Sequence, residues 1–160
     1  MTDFHELYTR YAGDIYRFAL FLCGDAAEAK DITAETFARA LTGKAPLVSA
    51  TAKGYLLTIA RNLHIESMRR RKRHVELSTE LPASDPHLEQ SVDQKTELDA
   101  LQRFLQSFPE LDRAALLLRA DGMSYDEIAQ ALGISLASAK VKVHRLRLKL
   151  AEWRADREKL

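Results

Sequence analysis

Two stretches of the chain crowd cationic side chains together, and both invite the same chemistry. "KVKVHRLRLKL", residues 140–150, holds five Lys or Arg and no acid. "RNLHIESMRRRKRH", residues 61–74, holds six Lys or Arg against one acid. Lys and Arg at this density neutralise phosphates, and either can also fork onto the exposed edge of a guanine. Between them lies "ELSTELPASDPHLEQSVDQKTELD", residues 76–99, with seven acids and one Lys. A net charge of +1 over 160 residues therefore hides two basic patches and an acidic connector, the pattern of a protein that meets nucleic acid at two places. For either patch alone, a solvated charged face is an equal alternative.

Other chemistries lack their residues. There is no nucleophile–base set, no phosphate-cradling Gly loop and no His, Cys or acid cluster at metal-ligand spacing, so neither an enzyme nor a metal or cofactor site is expected. Cys23 is the single cysteine; it cannot form an internal disulfide and reads as a buried thiol of a reducing cytoplasm. No run of about 18 apolar residues exists, so no membrane insertion is expected. The opening "MTDFHELYTRYAGD" is polar and mixed in charge, unlike a secretory signal or transit peptide.

The elements that must carry the basic patches are helices. Phe4, Leu7, Tyr8, Tyr11, Ile15, Phe18, Ala19 and Leu22 follow three- and four-residue spacing, which predicts a helix over 3–23 ended by Gly24. Asp25 then offers an N-cap, with Glu28 as its capping-box partner, to a helix burying Ile32, Thr36, Phe37 and Leu41 and stopping at Gly43. "KAPLVSATAKG" suits a loop. A third helix from about Thr51 has Tyr55, Leu56, Ile59, Leu63 and Met68 on its inner face and runs out into the Arg-rich end. Pro82, Pro86 and the absence of an apolar stripe make residues 76–96 a mobile acidic linker. Order resumes with Leu98, Leu101, Leu105 and Phe108 on one face; Pro109 opens a helix that carries Leu111, Ala115 and Leu118 and ends at Asp121-Gly122.

Residues 140–150 nearly alternate apolar and basic, as a half-wet strand would. The alternation breaks at His144-Arg145, whereas at 100° per residue Leu136, Ala139, Val143, Leu146, Leu150 and Trp153 share one arc about 100° wide. The segment is a helix with Ser135 as N-cap. Before it, "SYDE" (124–127) is a capping box, followed by Ile128, Ala129, Leu132 and the turn at Gly133. A helix, a tight turn and a second helix with a basic outer face form a helix-turn-helix arrangement. Val141 and Leu148 point out among the cations; Val141 there would meet thymine methyls, and Leu148 would suit a protein partner. A plain helical hairpin is the alternative. The chain is all-α: two small helical domains, 1–75 and 97–160, joined by the flexible linker 76–96.

"FPELDRAALLLRADGMSYDEIAQALGISLASAKVKVHRLRLKL", Phe108 to Leu150, resembles region 4 of bacterial sigma factors of the extracytoplasmic-function group, within the sigma-70 family. In that family the module binds the −35 promoter element and the β flap of RNA polymerase. The resemblance implies −35 contacts by Ser138, Lys140, Val141, Lys142, His144 and Arg145. Ala137, Ala139 and Val141 depart from the family's usual Gly, Val and Ser, which bears on base preference. "DAAEAKDITAETFARAL" resembles the family's region 2 helix that binds the β′ clamp helices, with Asp31, Glu35, Thr36 and Phe37 matching. Asp31 and Glu35, like charges four apart, repel by a few tenths of a kcal/mol, a cost that a basic partner would relieve.

"AKGYLLTIARNLHIESMRRRKR" resembles the segment that melts and reads the −10 element. Asn62 matches the residue that holds an unpaired base, for which an amide supplies both donors and an acceptor. Val48 to Ala52 would form the other wall. Tyr55 replaces the usual Trp, and Arg61, Arg69, Arg70, Arg71, Lys72 and Arg73 complete the DNA-contacting set. The resemblance implies a cytoplasmic sigma factor that binds core RNA polymerase and promoter DNA and starts transcription at chosen promoters, under control of an anti-sigma factor. Two rivals are a stand-alone helix-turn-helix regulator with an N-terminal dimerisation domain, and an enzyme. In the family the acidic linker threads the polymerase's active-site and RNA-exit channels, where its carboxylates imitate phosphate.

Overall fold

The computed structural model describes residues 4–43, 51–77 and 96–159. Among these residues there are seven α-helices and no strand: α1 (Phe4–Cys23), α2 (Ala26–Thr42), α3 (Ala52–Leu77), α4 (Glu97–Gln106), α5 (Glu110–Ala120), α6 (Tyr125–Leu132) and α7 (Leu136–Glu158). None is long and apolar enough to cross a membrane. The expected wall of the base pocket at Val48–Ala50 and most of the expected linker lie outside the described residues.

Helices α1, α2 and α3 pack mutually around Ile15, Phe18, Leu22, Ile32, Phe37 and Leu56. The turn between α1 and α2 uses Gly24 at φ 74°, a left-handed conformation open to glycine, and then Asp25, whose carboxylate accepts from the Ala27 and Glu28 N–H groups. Two side chains expected inside are outside. Leu41 is 63% exposed in the last turn of α2, and Met68 is 39% exposed where the fully exposed end of α3 begins. From Met68 to Leu77 every residue of α3 is exposed, and the helix continues past residue 75 to Leu77. Its apolar members Met68, Val75 and Leu77 stay exposed among the cations.

In the second half, α5, α6 and α7 form the helix-turn-helix unit, joined by α4 against α5. Pro109 stands as N-cap rather than first helical residue of α5. Ser124 and Glu127 close the predicted capping box of α6. Its far end is a Schellman turn: Gly133 at φ 67°, its N–H donating to Gln130 O, and Ile134 N–H donating to Ala129 O. Ser135 then caps α7. The inward arc is as expected at Ala139, Val143 and Leu146, all buried, while Leu136 at its start is exposed. At its far end Trp153 stacks on Phe104 of α4 with centroids 5.0 Å apart.

The two halves also touch. α1 packs on α4 and α5, so the tethered modules do not sit apart as the linker alone would suggest.

The Ser124 cap should contribute about 1 kcal/mol, as measured for such caps elsewhere. Ser124→Ala is expected to lower the unfolding free energy by that amount; the lone Trp153, stacked on Phe104, reports it by fluorescence.

Candidate nucleic-acid interface

The basic side chains of α3 and α7 divide into free and occupied ones. On α3, Asn62 is exposed and makes no hydrogen bond among the described residues, and Arg69, Arg70, Lys72 and Arg73 are exposed and without an ion pair among them. This leaves an amide and a cationic ridge on one protruding helix. Tyr55 is half-buried about two turns before Asn62 and about four before Arg69.

Two members of the expected set are already engaged. Arg71 Nη2 donates to both carboxylate oxygens of Glu28 at 2.7 Å. Burial alone would raise the Glu28 pKa; His64, Arg71 and Ser67 outweigh it and hold the carboxyl below its ordinary range. Glu28 thus anchors the base of the ridge to α2. Arg61 is a clearer departure from expectation. Its Nε and Nη2 donate to Oε1 and Oε2 of Glu110 at 3.1 and 2.9 Å, and the side chains are only 13% and 11% exposed. Arg61 is withdrawn from solvent by an acid of α5, so in this arrangement it offers DNA nothing.

On α7, Lys140, His144 and Arg145 are exposed, and Val141 between them is 43% exposed. The helical phase read from the sequence therefore holds at the outer face. Lys142 departs from it. Its Nζ donates to Asp112 of α5 at 3.1 Å, which pins α7 to α5 and turns the ammonium away from the Lys140–Arg145 face. Ser138 is half-buried and its backbone N–H is taken by the Ser135 hydroxyl. A short helix α6 followed by a Schellman turn thus presents α7 with Lys140, Val141, His144 and Arg145 outward, a shape that fits a major groove.

The acidic face of α2 is also mixed. Asp31 and Glu35 are exposed beside a shallow groove that Ala38, Leu63, Ser67 and Arg70 also line. Thr36 and Phe37 are core residues, not surface. The Thr36 hydroxyl donates to Ile32 O at 2.6 Å, and the Phe37 ring meets Tyr8 edge-on at 5.0 Å. They fix α2 on α1 and so aim Asp31 and Glu35. The repulsion expected between those two acids is already relieved on one side, because Arg39 Nε donates to Glu35 at 3.3 Å while its other nitrogens hold Glu66. Cys23 is half-buried, donates to Asp25 O at 3.4 Å, and burial pushes its pKa up to about 12, so it stays a thiol.

Sequence reasoning missed Glu110 and Asp112 as partners of the basic helices, and Arg113 as a donor to the Leu22 carbonyl at the end of α1. The sequence signal for Asp112 was its place in the helix that α7 must cover; for Glu110 and Arg113 there was none.

Comparison with known proteins places the chain in a family. Residues 7–74 match the model of Sigma-70 region 2, and residues 98–150 match that of Sigma-70, region 4. The chain is 35% identical over 161 residues to the ECF RNA polymerase sigma factor SigE of Mycolicibacterium smegmatis, covering 97% of this chain and 63% of that protein. It therefore spans somewhat less than two thirds of that relative's length. It is 31% identical to the ECF RNA polymerase sigma factor SigM of Bacillus subtilis, covering 91% of each. Among solved structures it resembles the sigma factor RpoE of Bartonella quintana, crystallised with the anti-sigma factor NepR, at 25% identity and a TM-score of 0.73 over 95% of this chain and 96% of that one. A match over residues 7–74 disfavours the stand-alone regulator, which has no use for region 2.

Val141 and Val143 separate the two faces of α7. Val141→Ser is expected to change stability by less than about 0.5 kcal/mol, while Val143→Ser, which puts a hydroxyl into the core, should cost about 2–4 kcal/mol. Thermal unfolding of both variants decides; a large loss at Val141 would overturn the groove-facing phase of Lys140, His144 and Arg145.

Proposed function

We propose, from the premise that this chain belongs to the extracytoplasmic-function group of the sigma-70 family, a division of labour between its helices in starting transcription. The chain is a sigma factor: it binds core RNA polymerase and directs initiation at particular promoters. The family is not an enzyme class, and bond-making is left to the polymerase.

In our reading the module of residues 1–75 docks on the β′ clamp helices through Asp31 and Glu35, with Thr36 and Phe37 holding that face in place. Asn62 takes the edge of a −10 base once it has left the stack, with Tyr55 nearby. The ridge Arg69, Arg70, Lys72 and Arg73, with Arg71 at its base, neutralises upstream phosphates. The module of residues 97–160 reads the −35 element through Lys140, Val141, His144 and Arg145 and meets the β flap; Lys142 and Ser138 position α7 rather than read bases. The linker between the modules, around residues 76–96, would follow the polymerase's nucleic-acid channel. An anti-sigma factor, such as the one bound to the structural relative, is the expected regulator, and the cytoplasm the expected compartment.

The observation that carries this reading is an exposed, unpartnered Asn62 on the same helix as an exposed cationic ridge, with a second, separate basic face on α7. Transcription in vitro with core polymerase over a promoter library tests it: start sites should appear that depend on this chain.

Two variants divide the roles. Asn62→Ala should lose about 1–3 kcal/mol in the melted complex only, because the amide contact exists only after the base is unstacked. Permanganate reactivity of promoter thymines should fall while closed-complex binding stays unchanged; normal melting would reduce Asn62 to a surface amide. Asp31→Lys should weaken capture of core polymerase by about tenfold or more, since reversal sets like charges together. Unchanged capture would remove α2 from that interface.

A further inference from the structure

Behind the base of the cationic ridge, α3 buries a histidine to which promoter recognition gives no part. His64 is 3% exposed, and neither of its ring nitrogens meets a hydrogen-bond partner among the described residues. Buried polar atoms in that state are rare and need a reason. The ring stands against one acid. Its Nδ1 lies 3.6 Å from Oε1 of Glu28, too far for a hydrogen bond and near enough for an ion pair once the ring is charged. Glu28 is itself only 13% exposed and is held by Arg71, which is 59% exposed and also reaches Ser67 Oγ at 3.4 Å. His64, Ser67 and Arg71 stand at i, i+3 and i+7, one face of α3. Other charges around the cluster are already placed. Asp25 caps α2, and burial keeps Cys23 of α1 a thiol. Asp31 and Arg70 line the groove beside Glu28 and are exposed.

Resting on the assignment of that ridge to DNA phosphates, we propose that Glu28 and His64 are positioning residues that set whether Arg71 joins it. Glu28 withholds Arg71 while His64 is neutral, and a proton on His64 releases Arg71 to a phosphate. A paired Arg71 carries the charge of Glu28 with it, so it presents a phosphate with little net charge and adds little to counterion release. Glu28 does not give up that partner unaided, because an ionised carboxylate so buried needs a cation beside it. Burial pushes the Glu28 pKa up, but His64, Arg71 and Ser67 more than reverse this, so the carboxylate stays charged well into mild acid. Histidine is the side chain that gains its charge between about pH 8 and pH 5. The imidazolium, with a proton taken from water, then neutralises Glu28 from the inside, and the exposed guanidinium turns to the DNA. Affinity for DNA therefore rises as pH falls. By linkage, a phosphate that captures Arg71 favours the proton on His64 to the same extent.

The test uses the full-length chain and a short DNA duplex, with binding read by fluorescence anisotropy against salt at about pH 8 and about pH 5.5. Each duplex phosphate neutralised adds about 0.9 to the slope of log K against log salt. On acidification the wild-type slope should steepen by about 0.9 more than that of His64→Gln, which is neutral throughout. The other histidines are common to both proteins and cancel in the difference. Glu28→Gln should show the steep slope already at the higher pH, which keeps the test open if His64→Gln folds poorly. In the free wild type, the nitrogen resonances of the His64 ring and of Arg71 Nε should shift together with pH; in Glu28→Gln the Arg71 signal should stay still. Circular dichroism checks that each variant is folded. Equal steepening in wild type and folded His64→Gln, or a wild-type slope for Glu28→Gln at the higher pH, overturns the proposal. Arg69→Gln with Arg70→Gln should lower the slope by about 1.8. No change there overturns the phosphate-binding ridge itself, a result distinct from a ridge that binds DNA and ignores pH.

Discussion

The end of α1 is the point on which the arrangement of the whole chain depends. Four carbonyls at any helix C-terminus lack intrahelical partners, and here two of them, at Phe21 and Leu22, are taken by Gln106 and Arg113 from the other half of the molecule. A cation at that place also meets the negative end of the helix dipole. The gain is set against a cost: burial lowers the Arg113 pKa, because a guanidinium out of water is disfavoured even with its donors satisfied. An interface made this way is specific in register, because each donor meets a particular carbonyl.

Gly24 links this interface to the fold of the first module. Its φ of 74° turns the chain from α1 into α2, and a Cβ there would sit 2.9 Å from Cδ of Gln106. The same residue therefore permits the turn and leaves room for the side chain that caps it. Asp25 follows at once to start α2, so termination of one helix, initiation of the next and docking of the second module occupy five residues, 21–25. A larger residue at 24 would disturb all three.

Helix boundaries and inner faces were legible in the sequence because each rests on local information: spacing for the apolar stripe, Ser124, Ser135 and Gly133 for the ends. The errors have a common physical origin. Leu41 and Met68 continue an apolar period past the point where a neighbouring helix exists to cover it, and periodicity carries no knowledge of where the neighbour ends. Thr36 and Phe37 matched a binding motif but serve it from the core, since a motif records which residues occur together and not which of them touch the partner. The candidate faces were picked out by charge. Charge could not distinguish Arg69 and Arg145, which make no ion pair among the described residues, from Arg61, Arg71 and Lys142, which are paired with acids 49, 43 and 30 residues away.

Those three pairs differ in what they do to function. Lys142–Asp112 lies within one module and moves with it; it fixes the rotation of α7, so that the Val141 side faces outward. Arg71–Glu28 ties α3 to α2 and sets the direction in which the cationic ridge leaves the bundle. Of the three, only Arg61–Glu110 joins the first module to the second. Its burial also matters, because salt screens a pair at 13% and 11% exposure far less than it screens the ridge. Ionic strength sufficient to weaken contacts of the exposed ridge with phosphates therefore leaves the Arg61–Glu110 pair largely intact.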